Sequence, residues 1–257
     1  MSPRNIIDAH SHIGRTMTNG VGQDVDTWLA AMDAAGIAQS IISVAAGGLQ
    51  AEGLADTRRA NDVIAKAVRE HPERFPIGLA SIEVRHGEAG LAEVRRAMTE
   101  IGLSGLVFHT TFEGFGVDSP LFDSILTALG LGPALILMHS TPDGRANPTA
   151  IATVAKRFPQ IHFLLGHPVF TEEQRRQCVK AIQENANLSL DLAYQADPAT
   201  TEFFVREVGA DRVLYGSDAP YFEPARVITS IETAKITDAD KEQIFSGNAE
   251  RLIKSLR

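Results

Sequence analysis

Cysteine is almost missing from this 257-residue chain, since Cys178 is the only one. A single cysteine cannot form an intrachain disulfide, so the fold cannot depend on one. Cys178 lies in the segment EEQRRQCVKAIQEN, whose pattern is helical. We therefore expect it to be a small helix residue and not a nucleophile.

Long apolar runs and basic stretches are missing as well. No run reaches the roughly 18 consecutive apolar residues that predict a membrane span, and the segment MSPRNIIDAH lacks the apolar core of a signal peptide. These absences predict a cytoplasmic protein with no membrane contact. The formal net charge is −8 without a basic stripe, which argues against nucleic acid or an anionic membrane surface as the partner.

The glycine-rich GxGxxG turn of dinucleotide-binding sheets is also absent. The chain instead shows short, mostly continuous apolar runs bounded by Gly, Pro, Asn or Asp, a pattern typical of strands that are covered on both faces. Eight strands are predicted: residues 5–10, 40–45, 75–81, 104–109, 134–139, 161–167, 187–192 and 211–218.

Helical segments separate these runs. In ADTRRANDVIAKAVREHP, apolar residues recur at three- and four-residue spacing from Ala60 to Val68 and form one apolar helix face. Strands that alternate with helices pair in parallel through crossovers. Eight such units in about 250 residues predict an α/β fold, a (β/α)8 TIM barrel in which residues 1–257 form a single domain. A doubly wound open sheet is the alternative, but it usually has fewer strands.

The active site of such a barrel lies at the C-terminal ends of its strands. In IIDAHSHIG, His10 and His12 point to one side, because alternate residues of a strand share a face. Four further strands end in a histidine or an aspartate: His109, His139, His167 and Asp218. The remaining histidines lie elsewhere and are expected to be structural or solvent-facing: His71, His86 and His162.

Each strand-end residue has an ordinary structural explanation when it is taken alone. A histidine there is commonly a hydrogen-bonded boundary residue, and Asp218 could cap the following helix. Together, four imidazoles and a carboxylate on one rim would be a costly set of polar groups without a metal ion. This donor set suits Zn²⁺, with Mn²⁺, Fe²⁺ or Co²⁺ as alternatives.

One divalent ion with an open position for water is therefore predicted, and its ligands would be His10, His12, His139 and Asp218. The ion would lower the pKa of that water toward neutrality. His167, on the neighbouring strand, would hydrogen-bond the water or accept its proton, and Asp218 would bind the ion, shuttle the proton, or do both.

The same motifs resemble those of the amidohydrolase superfamily, in the branch called amidohydrolase family 2, which is related to aminocarboxymuconate-semialdehyde decarboxylase. The resemblance extends from the first ten residues to the last ten, and the motifs that carry it are IIDAHSHIG, LILMHS, LLGHP, LYGSDAPYF and GNAERLI. It implies a (β/α)8 barrel with a zinc-type ion on the four ligands named above. It also implies that His167 activates the water or the substrate.

One departure from the superfamily pattern concerns the fourth strand. Binuclear members usually present a carboxylated lysine or a glutamate there, and SGLVFHT offers neither. A mononuclear site is therefore favoured. His109 occupies this place, as a substrate contact or as a plain strand-end residue, and is less favoured as a ligand.

Two chemistries share this scaffold. In a hydrolase, an activated water attacks the lactone, amide or ester carbonyl of a small carboxylate-type substrate. In a non-oxidative decarboxylase, an aromatic or unsaturated carboxylic acid loses its carboxylate. Decarboxylases of this branch tend to be longer, and loops 15–24 and 110–119 are modest here, so hydrolysis is the favoured prediction and decarboxylation the alternative.

Two rivals from other classes are less favoured. A TatD-like nuclease would ordinarily supply a strand-four glutamate and basic phosphate-binding residues, which this acidic chain does not show. A barrel retained only for binding should have lost at least one of the five strand-end residues, and all are present.

Candidates for substrate contact lie just after the strands. Arg145 could hold a carboxylate through a bidentate contact, although it could equally be a solvated loop residue. Tyr194 and Tyr221 follow the seventh and eighth strands and could line the cleft. Trp28 and the C-terminal helix are candidates for a homodimer surface, since dimers are the commonest assembly.

Overall fold

The computed structural model describes residues 4–15, 20–45, 53–109, 114–140, 145–168 and 170–257. Within these ranges the strands are β1 (Ile7–Arg15), β2 (Gly22–Gln23), β3 (Gln39–Val44), β4 (Ile77–Leu79), β5 (Gly105–Phe108), β6 (Ala134–His139), β7 (Ile161–Gly166), β8 (Leu188–Asp191) and β9 (Val213–Leu214). The α-helices are α1 (Val25–Ala35), α2 (Leu54–Glu70), α3 (Glu88–Thr99), α4 (Pro120–Ala128), α5 (Pro148–Ala155), α6 (Glu172–Glu184), α7 (Pro198–Val208), α8 (Pro224–Thr233), α9 (Asp238–Glu242) and α10 (Asn248–Ser255).

Several helices start where the sequence supplies a capping side chain. The side chains of Asn147 and Asp197 accept hydrogen bonds from the first turns of α5 and α7, and a proline follows each of them at the first helical position. Thr237 and Asp240 form a capping box at the start of α9. These caps fix the residue at which each helix begins.

Eight of the nine strands, all except β2, form a closed parallel barrel. β1, β3 and β4 pair in parallel, as do β5 to β9 in chain order. Parallel bridges close the two seams, one between Ser11 and Ala219 and one between Ala80 and Leu106. The predicted (β/α)8 fold is thereby confirmed. The short β2 pairs antiparallel with the end of β1.

A β-bulge in β1 decides where the first two histidines point. Asp8 pairs with Ser40, but the next pair joins Ser11 to Ile42, so β1 carries one extra residue. Without it, His10 would face away from the barrel interior that Ile7 occupies. The bulge turns the imidazoles inward at the C-terminal end of the strand, called the upper end of the barrel below. Bulges next to active sites commonly redirect side chains in this way.

Apolar residues fill the lower barrel, and polar residues occupy its upper end. One buried cluster inside the barrel includes Ile7, Leu79, Val107 and Leu135 and is sealed from below by α10. A larger cluster fills the space between the strands and the surrounding helices. Trp28 belongs to that second cluster and is fully buried. The prediction that Trp28 lies on a dimer surface is therefore wrong, since the monomer already covers it.

The observed strands agree with the predicted runs to within a few residues, except at the first, which continues beyond residue 10 to Arg15, and at the eighth. The predicted strand 211–218 is extended and paired only at β9, after which the chain turns so that Asp218 faces the barrel mouth. Cys178 is buried within α6, as predicted. Residues 16–19 and 110–113, in the loops used to favour hydrolysis, lie outside the described ranges. In the described part of the chain, no helix combines the length and apolarity that crossing a membrane requires.

His162, at the start of β7, should make stability fall in mild acid. It is half-buried with Nε2 at 2.7 Å from the Ser189 hydroxyl, and burial, with the charge of Arg212, lowers the pKa of His162 from 6.5 to about 4. Between these values only the unfolded chain takes up the proton, so folding free energy is lost as pH falls from 6.5 to 4. We expect His162→Gln to remove about 1–2 kcal/mol of that loss, allowing for the partial exposure. Urea unfolding of both proteins at neutral pH and near pH 4.5 measures the difference, and equal losses would contradict it.

Candidate metal centre

Five of the residues predicted from the sequence converge at the upper end of the barrel. The ligand atoms of His10, His139, His167 and Asp218 all lie within 4.8 Å of one another. Nε2 of His12 lies 3.1 Å from Nε2 of His10 and 3.0 Å from Oδ1 of Asp218. All five side chains are buried.

The donor atoms of this cluster fit a cation. Nε2 of His10 faces two other Nε2 atoms, at 3.1 Å in His12 and 3.3 Å in His139. Three imidazole nitrogens at such distances repel one another unless a proton or a metal ion lies between them. The Nδ1 atoms of His139 and His167 are buried without a hydrogen-bond partner among the described residues. Nitrogen and carboxylate donors without thiolate suit a borderline divalent ion.

Side chains behind the cluster orient two of the rings. Nδ1 of His10 is 2.8 Å from Oδ2 of Asp191, and Nδ1 of His12 is 2.8 Å from the hydroxyl of Ser43. Both bonds leave Nε2 directed at the centre. Such partners are typical of metal-binding histidines, because they fix the tautomer and the ring orientation.

The charges of the cluster depend on one another. Burial alone would lower the pKa of His10, but the carboxylates of Asp191 and Asp218 outweigh it and raise the pKa to about 10. Burial, together with the surrounding histidines, lowers the pKa of His139 well below its ordinary value. Burial would raise the pKa of Asp218, but hydrogen bonds from His10 and His12 hold this pKa well below its usual range. Asp218 is therefore a carboxylate beside a cationic His10 ring, while low pKa values keep His12, His139 and His167 neutral.

Backbone strain is concentrated at this end of the barrel. Among the described non-glycine residues, positive φ occurs at His167 (38°), Tyr194 (62°) and Asp218 (62°). Each follows a barrel strand. Strain of this kind costs about 1–3 kcal/mol per residue and persists where the surroundings hold it, which is commonly at functional sites.

Aromatic side chains form a rim next to the cluster. The ring of Tyr194 lies 6.0 Å from that of His167 and 5.1 Å from that of Phe222, and Phe170 is 5.4 Å from His167. Tyr194 is 44% and Phe170 49% exposed. Exposed rings beside a buried polar cluster offer a flat surface on which a planar molecule can stack.

The other predicted contact residues differ in position. The His109 ring lies 4.9 Å from that of His139, and burial, with the nearby His167, lowers the pKa of His109 to about 4. The ring of Tyr221 is 5.5 Å from that of His12. Arg145 lies in the loop after β6 with an exposed side chain, and its substrate contact stays a prediction.

Sequence reasoning missed Asp191 and Ser43. Asp191 ends β8 in the run NLSLDL, so the rule that polar residues at strand ends form the site could have found it. Ser43 lies near the end of β3, which also contains Ser40, and a serine in such a strand gives no such signal. The histidines predicted to be structural lie elsewhere: His71 at the end of α2, His86 in a 3₁₀ turn, and His162 at the lower end of the barrel.

With this geometry established, comparison with known proteins identifies the family. The family model described as amidohydrolase matches residues 7–254. The chain therefore belongs to the amidohydrolase family, and the resemblance seen in the sequence is confirmed.

Several proteins similar to this chain are named as decarboxylases. Gamma-resorcylate decarboxylase of Polaromonas sp. is 25% identical over 284 residues, covering 87% of this chain and 85% of that protein. The 2-amino-3-carboxymuconate-6-semialdehyde decarboxylase of Dictyostelium discoideum is 25% identical, covering 74% of this chain and 64% of that protein. Among solved structures, a dihydroxybenzoic acid decarboxylase of Polaromonas sp. with bound manganese and the inhibitor 2-nitroresorcinol superposes with a TM-score of 0.73 at 20% identity, covering 99% of this chain and 98% of that one.

These relatives favour the alternative reaction over the hydrolytic one. Hydrolysis was inferred from modest loops, yet the alignment with the Polaromonas relative runs over 284 positions and this chain has 257 residues. The relative therefore carries insertions. Insertions lengthen surface loops without changing the strand-end residues, so loop length is a poor guide to the reaction.

Proposed function

We propose that this protein is a metal-dependent, non-oxidative decarboxylase of a small aromatic or unsaturated carboxylic acid. The observation that carries the proposal is the aromatic rim beside the buried donor cluster. A planar acid that stacks on Tyr194 and Phe170 would point its carboxylate toward the cluster. The names of the relatives support the same reaction class.

The residues proposed to hold one divalent ion are His10, His12, His139 and Asp218. An ion bound there would supply a Lewis-acidic positive charge beside the substrate carboxylate and an adjacent oxygen. Zn²⁺ remains the ion proposed from the donor types, and the manganese in the Polaromonas structure makes Mn²⁺ the first alternative to test. The absence of a glutamate or lysine at the end of β5 supports a single ion.

The chain's own residues would bind the substrate and move one proton. Oδ1 of Asp218 lies 3.0 Å from Nε2 of His12, on the side of the proposed ion, so a proton on this carboxylate would reside on Oδ2. Asp218, a carboxylate at rest, would take up that proton from solvent in the substrate complex, donate it to the carbon that bears the carboxylate and become a carboxylate again. The carbon–carbon bond then breaks, its electron pair returns to the substrate carbon framework, and CO2 leaves. His167, the member of the cluster next to Tyr194, would orient the polar end of the substrate, with His109, Tyr221 and Arg145 as further proposed contacts.

Activity after metal removal and reloading tests this function. The chelated protein and protein reloaded with Zn²⁺ or Mn²⁺ are incubated with 2,6-dihydroxybenzoate, related hydroxybenzoates and unsaturated dicarboxylates, and with a panel of lactones and esters. We expect CO2 release from at least one acid, only after reloading, and no lactone or ester cleavage. Metal-dependent cleavage of a lactone or ester without CO2 release from any acid would contradict the proposal.

The cytoplasmic location and the homodimer remain part of the proposal. Light scattering of the purified chain measures the oligomeric state directly. A dimer would have to use a surface other than Trp28, which lies inside the monomer.

A further inference from the structure

We propose that Asp191 is a positioning residue that sets the tautomer of His10 and holds the backbone of His167. Asp191 is fully buried at the end of β8. Its two oxygens are divided between two neighbouring parts of the site, so one carboxylate would link a proposed metal ligand to the proposed substrate-binding histidine. The inference rests on the metal site of the proposed function and not on the reaction assigned to it.

The first task concerns the ring of His10. A carboxylate only accepts hydrogen bonds, so Nδ1 of His10 must donate its proton to Oδ2 of Asp191, across 2.8 Å. When a metal ion displaces the other proton of this ring, the lone pair that binds it is on Nε2, which faces the donor cluster. The opposite tautomer would place a hydrogen there and prevent Nε2 from binding a cation.

The second task concerns the strand end that carries His167. Oδ1 of Asp191 accepts from the backbone N–H of His167 and from that of Ala193, each at 3.0 Å. His167 has a φ of 38°, which a non-glycine residue rarely adopts. A buried charged acceptor is the kind of partner that can hold such a backbone conformation.

Two glycines allow the neighbouring backbone to pack closely against Asp191 and His10. A β-carbon on Gly166 would lie 2.9 Å from Cε1 of His10. A β-carbon on Gly216 would lie 2.9 Å from Cβ of His10 and 3.1 Å from Cβ of Asp191. The backbones of β7 and of the segment after β9 therefore pack directly on this pair. This close packing restricts the positions of both side chains.

Asp191→Asn tests the inference, because the amide has nearly the same shape and offers only one acceptor oxygen. We expect the Kd for Zn²⁺ and for Mn²⁺, measured by competition with a chromophoric chelator, to rise about 10- to 100-fold. The matched control is Ser189→Ala, two residues earlier on β8. The Ser189 hydroxyl is a hydrogen-bond partner of His162 and not of a proposed metal ligand. The control should change both Kd values less than about 2-fold, since metal-site effects of this size need a partner of a ligand.

Nitrogen NMR of histidine-labelled, zinc-loaded protein supplies a readout that a purely structural role would not change. The wild-type protein should show the His10 ring with hydrogen on Nδ1, and Asp191→Asn should lose or strongly shift that signal. This wild-type measurement stands even if the variant does not fold. Hydrogen on Nε2 of His10 in the wild-type protein, or an unchanged Kd in a folded Asp191→Asn, would overturn the inference.

Failure of the proposed reaction gives a different result. If the wild-type protein binds Zn²⁺ but releases no CO2 from any acid, the reaction is wrong, while the Kd and tautomer comparisons still test Asp191. If the wild-type protein binds neither Zn²⁺ nor Mn²⁺, the role of Asp191 in metal binding is overturned together with the metal site.

Discussion

Asp218→Asn is expected to lower the rate of the proposed decarboxylation by roughly 10³-fold, the middle of the range for loss of a positioned general acid or base. The amide cannot carry the transferred proton. It also lacks the charge that Asp218 presents to His10 and His12, at 3.2 and 3.0 Å. The measurement is kcat for CO2 release by the metal-reloaded protein, with bound metal quantified in the same sample.

Asp211→Asn is the matched control for this variant. Asp211 belongs to the same predicted run, DRVLYGSD, but it is exposed at the opposite end of the barrel. Its replacement should leave kcat within about 2-fold, as surface changes away from a site usually have little effect. An Asp218→Asn protein that retains bound metal and more than a tenth of the wild-type kcat would exclude Asp218 as the proton carrier.

Gly105→Ala is expected to lower the free energy of unfolding by about 3 kcal/mol or more, because overpacking and a strained φ each cost about 1–3 kcal/mol. Gly105 has a φ of 152°, and a β-carbon there would lie 1.8 Å from the carbonyl oxygen of Leu135. Leu135 cannot move away easily, because its N–H donates to the carbonyl oxygen of Ser104 at 2.9 Å and its strand, β6, pairs with both β5 and β7. Urea unfolding at neutral pH measures the change.

Gly132→Ala provides the comparison for the barrel glycine. Gly132 also lies close to β6 in sequence, but nothing is within 4 Å of a β-carbon built on it. Its replacement should change the free energy of unfolding by less than about 0.5 kcal/mol. Equal destabilisation by the two variants would show that the crowded seam between β5 and β6 is not the cause.

The barrel was predictable because its signals are local. Each strand that is buried on both faces must be apolar, so the runs 134–139 and 161–167 could be recognised one at a time. The strand-end rule then brought His139, His167 and Asp218 to one rim, where the structure places them.

Other features depend on contacts between distant strands and could not be predicted from local patterns. Alternation correctly placed His10 and His12 on one side, but only the pairing of β1 with β3 reveals the bulge that turns that side inward. Asp191 gains its role from a ring that lies 181 residues earlier in the chain. Trp28 was assigned to a surface because its helix pattern does not show which partner covers it.

The reaction class is the feature that sequence patterns indicate least clearly. Hydrolysis and decarboxylation use the same donor atoms, so residues such as His139 and Asp218 do not distinguish them. The rim formed by Phe170, Tyr194 and Phe222 does bear on the choice, but these rings come from three different loops. Their proximity is a property of the folded barrel.

Isotope incorporation from solvent tests the central claim most directly. The metal-reloaded protein converts an acid substrate in D2O and, separately, in water enriched in oxygen-18, and the product is analysed by mass spectrometry and NMR. Decarboxylation by this site predicts one deuterium on the carbon that lost the carboxylate and no solvent oxygen in the product. A product that contains solvent oxygen and still retains its carboxylate carbon would contradict the account and establish hydrolysis.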